Sequence, residues 1–501
     1  EMSTNAQSVN GPATILLRLI KGADAETVKL LTDQLKGSAG EKDQLILLVN
    51  NETKAAAPAG VNSVSYEGRA QGAAVAEVIT KSAADGILVT LSNEVLLKPG
   101  ALDKFRAAMA GGAPLAYSSF EEDRDGKRNE VVPHDHDGCP HERFEFGPVI
   151  AYSIAAINGV GGVRKDLSYA WEYDLHLKLM EKAAFARVPE VLYTHFLQVV
   201  TDAKGSKVFS PGAGPLGGFS YVFYPADLEK EVTTVFEEAL KRRGAWLSHD
   251  TVPVKHSGKH ELLASIVIPI LNRVRFIGNA IEKVQKGTFQ NFEMIIVDNG
   301  STDGTVDKVK QIAAADPRIR LIHGKGGSIA SALNEGIKAA RGKYICQLDS
   351  DDEYAPNCLE KMIGHLEGHP KCGLAISYYR LMDENGVIIT DVAPITHSGY
   401  SRNQILRRDG AGAVRIFPKA VLEEFGYYDE VNYGNFGEDY DMVLKTGEKY
   451  DVDRVHDVLY HYRRHSDNTD VTRDPKMKYH NKNHSRQQAL KRRIAINKKN
   501  G

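Results

Sequence analysis

The sequence MIIVDNGSTDGT, at residues 294–305, is the most informative segment for the fold that we predict for this chain of 501 residues. It begins with a continuous apolar run and ends in a polar turn, which is typical of a strand buried in a parallel sheet. Similar apolar runs flank it, ASIVIPIL at 264–271 and YICQL at 344–348, and helical stretches at 274–286 and 329–341 separate the runs. This alternation predicts an α/β domain with a mostly parallel sheet and helices on both faces.

The chain also contains an internal repeat. Residues 174–193 (DLHLKLMEKAAFARVPEVLY) align without a gap with residues 441–460 (DMVLKTGEKYDVDRVHDVLY), and residues 87–105 resemble residues 345–362. The apolar runs that open each half fall in the same order. Matches that are collinear over both halves predict two tandem copies of one Rossmann-like α/β unit.

Composition sets the domain boundaries that we expect. We expect a disordered leader at 1–10, a first α/β domain at 11–200, a linker at 201–262, a second α/β domain at 263–468 and a basic helical tail at 469–501. The linker combines a loop rich in glycine, serine and proline with an amphipathic helix, whose apolar residues share one face.

Bulk composition narrows the class of protein. The 63 Lys and Arg residues nearly balance the 65 Asp and Glu residues, so the net charge of −2 gives no reason to expect a nucleic-acid partner. No apolar run is long enough to span a bilayer, and the first residues lack a signal-peptide pattern. Four cysteines without a CxxC pair fit a reducing cytoplasm. The basic tail leaves three roles open: a solvated end, a peripheral contact with the inner membrane face, or a homo-oligomer or acceptor contact.

Carboxylates follow the strand YICQL directly, at Asp349, Asp351 and Asp352. Packing like charges together costs free energy unless another group cancels them. Hard divalent cations bind carboxylate oxygens, and Mg²⁺ is commonly held by one or two carboxylates plus substrate phosphates. The pattern therefore predicts a bridge between a metal ion and a diphosphate, and a solvated acidic turn is the alternative.

Two further motifs carry polar groups suited to catalysis. In GEDYDMVLK (437–445), acidic residues begin a helix, where they either complement the helix dipole or supply a general base. In YHYRRH (460–465), a histidine can complete the coordination of a metal ion and an arginine can hold a diphosphate. A basic surface strand is the alternative for this second motif.

Together these features resemble the family-2 glycosyltransferases of the GT-A fold. The resemblance covers essentially the whole second half, and its two-copy layout is similar to bacterial members with tandem GT-A domains. The motifs that carry it occur in the expected order: ASIVIPILNR (264–273), VDNGSTDGT (297–305), GGSIASALNEGIKAARGKYICQLDSDD (326–352), GEDYDMVLK (437–445) and VLYHYRRH (458–465).

The resemblance implies roles for individual residues. Asp439 would be the general base, with Glu438 beside it. Asp351 and His465 would bind Mn²⁺ or Mg²⁺, and Asp349 would face both the ribose and the metal ion. The other donor-binding residues that it implies are Pro269, Asn272, Asp298, Asn334, Ser350 and Arg464.

Two departures from the family pattern leave parts of this assignment open. Ala332 and Leu333 stand where many members have Ala-Arg before Asn334, so an arginine contact to the donor from this helix is in doubt. His461 competes with His465 for the role of metal ligand.

The function that the resemblance implies is a metal-dependent, inverting transfer of a sugar from a nucleotide diphosphate to a hydroxyl group. Uridine diphosphate is the carrier that it favours, and the acceptor would be a saccharide, a lipid-linked saccharide or a glycoconjugate of a bacterial surface polysaccharide. A nucleotidyltransferase is an alternative, but it would need a glycine-rich loop near the first strand. A non-catalytic carbohydrate-binding or scaffold protein is another.

The first copy lacks most of these groups. Asn50 stands in place of Asp298, the run 92–94 (Ser-Asn-Glu) replaces 349–351, and Glu172 aligns with Asp439. We expect a domain without catalysis that positions the acceptor or mediates assembly. A second active site without metal, with Glu172 as base, is the rival hypothesis.

A local cluster of histidines, aspartates and a cysteine at 134–141 has ligand types that Zn²⁺ uses. Its spacing matches no standard zinc site, and its glycine and proline indicate a surface loop. A polar loop is therefore the favoured interpretation.

Overall fold

The computed structural model describes residues 9, 11–142, 146–197, 207–209, 221–256, 258, 260–396, 399–408, 410–433 and 435–500. The chain divides into two compact units. Unit 1 comprises Glu1–Lys207 and Phe223–Arg242, and unit 2 comprises Val208–Val222 and Arg243–Gly501. Each unit is built around one large sheet flanked by helices, so the predicted α/β class is confirmed.

Unit 1 holds nine strands and six helices among its described residues. Its strands are β1 (Ala13–Arg18), β2 (Gln44–Val49), β3 (Asn62–Ser65), β4 (Ile87–Ser92), β5 (Val95–Leu97), β6 (Leu115–Arg124), β7 (Lys127–Val131), β8 (Ile150–Ser153) and β9 (Ala186–Phe196). Its helices are α1 (Ala25–Ser38), α2 (Gln71–Thr80), α3 (Ala101–Met109), α4 (Ile154–Gly159), α5 (Trp171–Leu179) and α6 (Ala226–Arg242). Two short strands, β10 (Lys207–Phe209) and β11 (Tyr221–Phe223), form a separate two-stranded sheet.

Unit 2 carries its own sheet and eight helices in the part that the structure describes. Its main strands are β12 (Leu262–Ile270), β13 (Phe292–Asp298), β14 (Ile319–His323), β15 (Gly342–Gln347), β16 (Glu353–Tyr354), β17 (Cys372–Met382), β18 (Arg415–Pro418) and β19 (Asp451–Arg463). Its helices are α7 (Ile277–Gln285), α8 (Thr305–Ala315), α9 (Ile329–Ala339), α10 (Cys358–Gly368), α11 (Lys419–Glu424), α12 (Glu438–Gly447), α13 (Thr469–Thr472) and α14 (Pro475–Asn500).

The two large sheets have the same strand order. The sheet of unit 2 runs β14-β13-β12-β15-β18-β17-β19-β16, and that of unit 1 runs β3-β2-β1-β4-β8-β6-β9-β5, with β7 as an extra strand beside β6. Four neighbouring strands at one side of each sheet are parallel, as the apolar runs predict. The matching orders agree with the internal repeat in the sequence.

The centre of the second sheet is buried on both faces. Strand β12 lies between β13 and β15, and Ile266, Val267 and Ile268 along it are fully buried. Helix α9 packs on this strand so closely that a Cβ atom at Gly336 would lie 2.4 Å from the Val267 side chain. The sheet therefore offers a rigid floor to whatever lies at the carboxyl ends of its strands.

A buried carboxylate joins the other end of these strands. Glu293 accepts hydrogen bonds from the Ser265 hydroxyl (2.7 Å), the Arg341 backbone N–H (2.7 Å) and the Arg320 guanidinium (2.9 Å). Burial raises the pKa of Glu293, but these donors together hold it below its ordinary value. A charged group in the interior is tolerated here because its oxygens are paired.

The segment predicted as a linker and the predicted tail are both parts of compact units. Helix α6 belongs to unit 1, whereas residues 243–262 belong to unit 2. The predicted tail contains α14, in which Arg486 donates to the Leu406 carbonyl (3.0 Å), and Arg492 pairs with Glu448 (2.7 Å). Part of the positive charge of the predicted basic tail therefore forms contacts within unit 2.

Two predicted segments fall largely outside the described residues. The predicted leader at 1–10 is described only at Val9, which is buried, and most of the glycine-rich part of the predicted linker is also not described. Across the described ranges, none of the helices combines the length and apolar character that crossing a bilayer requires.

Candidate active site

The carboxyl ends of the parallel strands of unit 2 gather polar side chains at one edge of the sheet. Strand β13 ends at Asp298, and β15 ends at Gln347, just before the acidic turn at 349–352. In an open parallel sheet, ligands bind at this edge, because the strands end there and the loops diverge. The topology thus brings together carboxylates that are about fifty residues apart in the sequence.

Asp351 and His465 are in direct contact. The Oδ2 atom of Asp351 lies 2.9 Å from Nε2 of His465, and 3.6 Å from Nε of Arg273. The imidazole is nearly buried and stacks on the Phe276 ring at 4.9 Å. Burial raises the pKa of Asp351, but the bond to His465 and the charge of Arg273 hold it below its ordinary value.

This contact has the spacing of two ligands on one metal ion. About 3 Å separates neighbouring ligands of an octahedral ion whose bonds are about 2.1 Å long. The Nδ1 atom of His465 accepts a hydrogen bond from the Asp467 backbone N–H at 3.2 Å, which places the ring proton on Nε2 in the neutral imidazole. Binding of a metal ion at Nε2 therefore requires that the ring proton move to Nδ1 and that the hydrogen bond from the Asp467 N–H be broken. With these two changes, the pair would fit Mn²⁺ or Mg²⁺.

Asp349 lies beside this pair without joining a compact set of three ligands. Within the described ranges, the one group of three residues with ligand atoms within 4.8 Å of one another lies elsewhere in unit 2. Burial and the charges of Asp351 and Asp439 raise the pKa of Asp349 to about 6. Asp349 thus shares an electrostatic environment with both the metal-type pair and the acidic residues of α12.

A buried framework holds the acidic turn in place. Asp352 accepts hydrogen bonds from the Tyr460 hydroxyl (2.8 Å) and the Arg463 backbone N–H (2.7 Å). The Arg463 guanidinium donates to the Asp351 carbonyl (2.7 Å) and to Glu353 (2.6 Å). Burial and the charges of Asp351 and Asp349 raise the pKa of Asp352 well above its ordinary value. Asp352 therefore acts as a structural anchor for the turn.

The two acidic residues at the start of α12 have different environments. Asp439 is one-third exposed, and its Oδ2 atom accepts a hydrogen bond from the Arg415 guanidinium at 2.6 Å. Glu438 is buried, and its Oε2 atom has no hydrogen-bond partner among the described residues. Burial and the charge of Asp439 raise the pKa of Glu438 to about 8. This raised pKa favours the protonated form of Glu438 at neutral pH.

Two predicted donor-binding residues, Asp298 and Asn272, lie in neighbouring loops at this edge and hold them together. Asp298 is buried and accepts hydrogen bonds from the backbone N–H groups of Gly300 (3.3 Å) and Ser301 (3.0 Å). Asn272 has a left-handed φ of 54°, and its side-chain oxygen accepts from the Thr302 backbone N–H at 2.8 Å. The loops after β12 and β13 are thus fixed against each other. Pro269 is half-buried near the end of β12, and Ser350 is buried within the acidic turn.

Arg464, whose contact with the diphosphate stays a prediction, pairs with an acidic residue of unit 2. Its guanidinium is buried and donates to both oxygens of Asp470, at 3.0 and 3.1 Å. Asn334, another predicted donor-binding residue, has structural contacts: its side-chain amide donates to the Tyr428 carbonyl (2.8 Å) and to Glu430 (2.7 Å).

The two histidines that are candidates for the metal ligand differ in position. His465 contacts Asp351, whereas His461 pairs across strands with Glu353 and makes no such contact.

Two basic residues of the cluster were not assigned by the sequence analysis. Arg415 begins β18 and lies opposite Gln347 on the neighbouring strand β15, which places it near Asp349 and Asp439. Arg273 ends the motif ASIVIPILNR, so its position after β12 was available as a signal. Arg415 has no such signal, because it reaches the cluster only through antiparallel pairing with a strand seventy residues away.

The corresponding edge of unit 1 has different chemistry. Glu94 lies 3.7 Å from the His195 ring, and Glu172 lies 4.0 Å from Arg18. The Asn93 side chain accepts the Ile20 backbone N–H at 2.8 Å and so links two loops. This edge has a carboxylate–histidine pair, but the acidic turn of unit 2 has no counterpart in it.

The histidine-rich loop of unit 1 is organised by other contacts. The Tyr117 hydroxyl donates to the His134 carbonyl (2.7 Å) and accepts from the His136 backbone N–H (3.0 Å). Asp137 accepts from the Cys139 backbone N–H at 3.1 Å. The residues of this loop that the structure describes do not form a compact group of three metal ligands. Cys139 and His141 at the end of this loop are buried, which differs from the surface loop that the glycine and proline indicate.

Comparison with known proteins identifies the class of the second unit. A sheet with parallel strands, whose carboxyl edge carries an acidic turn and a histidine, defines a candidate site for a nucleotide and a metal ion. Residues 265–425 match the model of Glycosyl transferase family 2, and these residues form a domain of that family. The match includes the acidic turn but ends before α12 and β19, so the environments of Asp439 and His465 are known here from geometry alone.

Several curated proteins are similar to this chain over part of its length. Chondroitin synthase of Pasteurella multocida strain Pm70 is 26% identical over 262 residues, which cover 51% of this chain and 27% of that protein. Glycosyltransferase GlyG of Streptococcus pneumoniae serotype 4 is 29% identical over 217 residues, which cover 41% of this chain and 71% of that protein. This chain thus matches about a quarter of the length of the synthase.

Solved structures give a weaker likeness. S. aureus TarS 1-349 in complex with UDP-GlcNAc has a TM-score of 0.38 and 18% identity, and the match covers 47% of this chain and 66% of that chain.

Proposed function

We propose that unit 2 is a metal-dependent, inverting glycosyltransferase that moves a sugar from a nucleotide diphosphate to a hydroxyl group of a saccharide. The observation that carries the proposal is the convergence, at one sheet edge, of the Asp351–His465 pair and the Arg415–Asp439 pair. Asp349 lies in the electrostatic field of both pairs. The Asp351–His465 pair suits the leaving diphosphate, and the Arg415–Asp439 pair suits the attacking hydroxyl.

Asp351 and His465 would hold Mn²⁺ or Mg²⁺, with Asp349 beside them. A bound divalent ion would neutralise the negative charge that builds on the departing nucleoside diphosphate. The chain adds its own positive charge through Arg273, which is 3.6 Å from Asp351. Arg273 takes the part for which the sequence resemblance suggested Arg464, because the Arg464 guanidinium is committed to Asp470.

Asp439 would be the general base. Its partial exposure lets an acceptor reach one carboxylate, and the Arg415 guanidinium fixes the orientation of that carboxylate. Glu438 beside it holds a proton at neutral pH, so it does not compete as a base. Its unpartnered Oε2 atom and the buried, unpartnered Nε–H of Arg415 are polar groups that a bound substrate would satisfy.

The proposed reaction is a single displacement at the anomeric carbon. The acceptor oxygen forms a bond to the anomeric carbon as the bond from that carbon to the diphosphate oxygen breaks. The proton of the acceptor hydroxyl passes to Asp439, and the electron pair of the broken bond stays on the nucleoside diphosphate. Attack from the face opposite the leaving group inverts the anomeric configuration.

The donor-binding role of the remaining loops follows from their position. Asp298 and Asn272 lie on the joined loops after β13 and β12, where a nucleoside would meet the sheet edge. We propose uridine diphosphate as the carrier, as the family resemblance suggests. Relatives that are named as synthases of chondroitin and hyaluronan favour a saccharide as the acceptor.

A transfer assay tests this function directly. Purified protein is incubated with a panel of sugar nucleotides and saccharide acceptors, with and without Mn²⁺, and the release of nucleoside diphosphate is measured. We expect release that depends on both the acceptor and the metal ion. Release of pyrophosphate instead would indicate nucleotidyl transfer, and donor binding without any release would indicate a scaffold.

We propose that unit 1 contributes acceptor positioning or assembly and no second transfer. Its Glu94–His195 contact lacks the neighbouring acidic turn that accompanies Asp351 in unit 2. The double variant Glu94→Gln, Glu172→Gln removes both candidate carboxylates. An unchanged product profile supports the proposal, and loss of one product linkage supports a second active site.

A further inference from the structure

Two histidines and an aspartate of unit 2 meet away from the cluster described above. His365 lies on α10, His369 follows the end of that helix, and Asp453 lies near the start of β19. One ligand atom from each lies within 4.8 Å of the others. Asp453 and Arg463 are ten positions apart along β19, which corresponds to about 33 Å at the rise of a strand. This group is therefore separate from the Asp351–His465 pair.

We propose that His365, His369 and Asp453 form a second metal site, which takes Zn²⁺ or a related transition-metal ion. The histidines are four residues apart, so they share one side of the helical turn. Their rings stack at 3.9 Å with an angle of 16° between planes. Nε2 of His365 lies 3.0 Å from Oδ2 of Asp453, close to the separation of about 3.3 Å between ligands of a tetrahedral zinc ion.

The hydrogen bond of His369 prepares its ring for a metal ion. Its Nδ1 atom lies 2.7 Å from the His365 backbone carbonyl. A carbonyl oxygen can only accept, so Nδ1 must carry the ring proton and the neutral ring has its lone pair on Nε2. Histidines that bind metal ions commonly donate their other N–H to a carbonyl in this way, which fixes the ring orientation. His465 shows the opposite arrangement, because its Nδ1 accepts a hydrogen bond.

The site extends a row of polar contacts between helix and strand. Lys361, one turn before His365 on α10, pairs with Asp457, and His365 pairs with Asp453 one step further along. His369 continues the helical row, but its ring stacks on His365 instead of pairing with a further acid on β19. A metal ion would take up the third position and connect the end of α10 to the start of β19.

The ligand types distinguish the ion from the one at the sheet edge. Two imidazoles and one carboxylate suit Zn²⁺, whereas clusters rich in carboxylates suit Mg²⁺ and Mn²⁺. His369 is exposed and the other two residues are half-buried, so an ion can enter from solvent and water can complete its coordination.

Zinc titration of the full chain, with any affinity tag removed and bound metal stripped by EDTA, tests the site. Isothermal titration with ZnCl₂ is done in excess Mg²⁺, so that the sheet edge is occupied. We expect one zinc equivalent that is weakened at least about ten-fold in His369→Ala and in Asp453→Asn. His480→Ala is the matched control, since His480 and His484 are also a pair of histidines four residues apart, on α14. It should leave that equivalent unchanged.

A further variant separates the two metal sites. His465→Ala should retain the zinc equivalent, because it changes only the sheet edge. The proposal is overturned if the wild-type chain binds no zinc, if His369→Ala binds zinc like the wild type, or if His465→Ala or His480→Ala removes the same equivalent. His369 is exposed, so its replacement should leave the circular-dichroism spectrum unchanged.

Discussion

Replacement of Asp439 by Asn tests the proposed base. Asn keeps the shape of the side chain and can still accept a hydrogen bond from Arg415, which now lies 2.6 Å from Oδ2. The change removes the capacity to take a proton and the negative charge beside Arg415, and it keeps the hydrogen bond between the two side chains. Loss of a positioned general base costs about 10²–10⁴-fold in rate, which corresponds to about 2.7–5.4 kcal/mol. We expect kcat to fall within this range while the dissociation constant of the donor stays nearly constant.

A matched variant on the same helix controls for local damage. Asp441 lies in the first turn of α12, as Asp439 does. It is buried and pairs with Lys445 (2.7 Å) and Arg492 (3.4 Å). Asp441→Asn should lower thermal stability through these lost pairs and leave the rate of transfer within a few-fold of the wild type. Loss of rate in Asp439→Asn that exceeds the loss in Asp441→Asn is then specific to the position of the base.

Single-turnover transfer and isothermal titration with the donor measure the two quantities separately. A near-normal single-turnover rate in Asp439→Asn would refute the assignment of the base. An equal fall in donor affinity and in rate would also contradict it, since it would show that Asp439 acts in donor binding.

Three further predictions follow from the same structure. Because the pKa of Glu438 is raised from 4.5 to about 8, the folded chain binds more protons than the unfolded chain between these values, and stability falls as pH rises through them. Glu438→Gln should therefore stabilise the protein relative to the wild type most at pH 8 and least near pH 5, as measured by urea unfolding. His465→Ala should weaken Mn²⁺ binding at least about ten-fold in titrations that are followed by electron paramagnetic resonance. Glu293→Gln should cost about 1.5–3 kcal/mol in urea unfolding, the range for a hydrogen bond to a charged group, because Arg320 and Arg341 are 37% and 48% exposed and can regain water.

The sequence predicts the strands of unit 2 well because each apolar run is buried on both faces. The run at 264–271 becomes β12, and the helical stretch at 329–341 becomes α9 at 329–339. Local pattern and tertiary burial agree in these elements, so a periodicity argument is sufficient. The internal repeat is informative for the same reason, since it reports a shared pattern of burial.

The antiparallel half of each sheet is less accessible to this reasoning. Strand β18 has only four residues, and it lies between β15 and β17, far from either in the sequence. Its Arg415 reaches Asp439 through that pairing. A residue whose role depends on the register of a short strand gives no local signal in a single sequence.

The segment VLYHYRRH (458–465) shows why a sequence motif alone does not give the contacts of each of its residues. Neighbouring basic residues of this segment have distinct partners: Arg463 binds the acidic turn, Arg464 binds Asp470, and His465 contacts Asp351. Successive residues near a strand end point in different directions, so Arg463 contacts the Asp351 backbone carbonyl and His465 contacts the Asp351 carboxylate. The motif predicts a basic group near the site, and the structure selects which one.

Anomalous diffraction from crystals soaked with Mn²⁺ and a uridine diphosphate sugar would locate the metal ion and the nucleotide. We predict a manganese peak bonded to an Asp351 oxygen and to Nε2 of His465 at about 2.0–2.3 Å, with the diphosphate on the same ion. A peak at another position, or a nucleotide bound away from the ends of β12 and β13, would contradict the account.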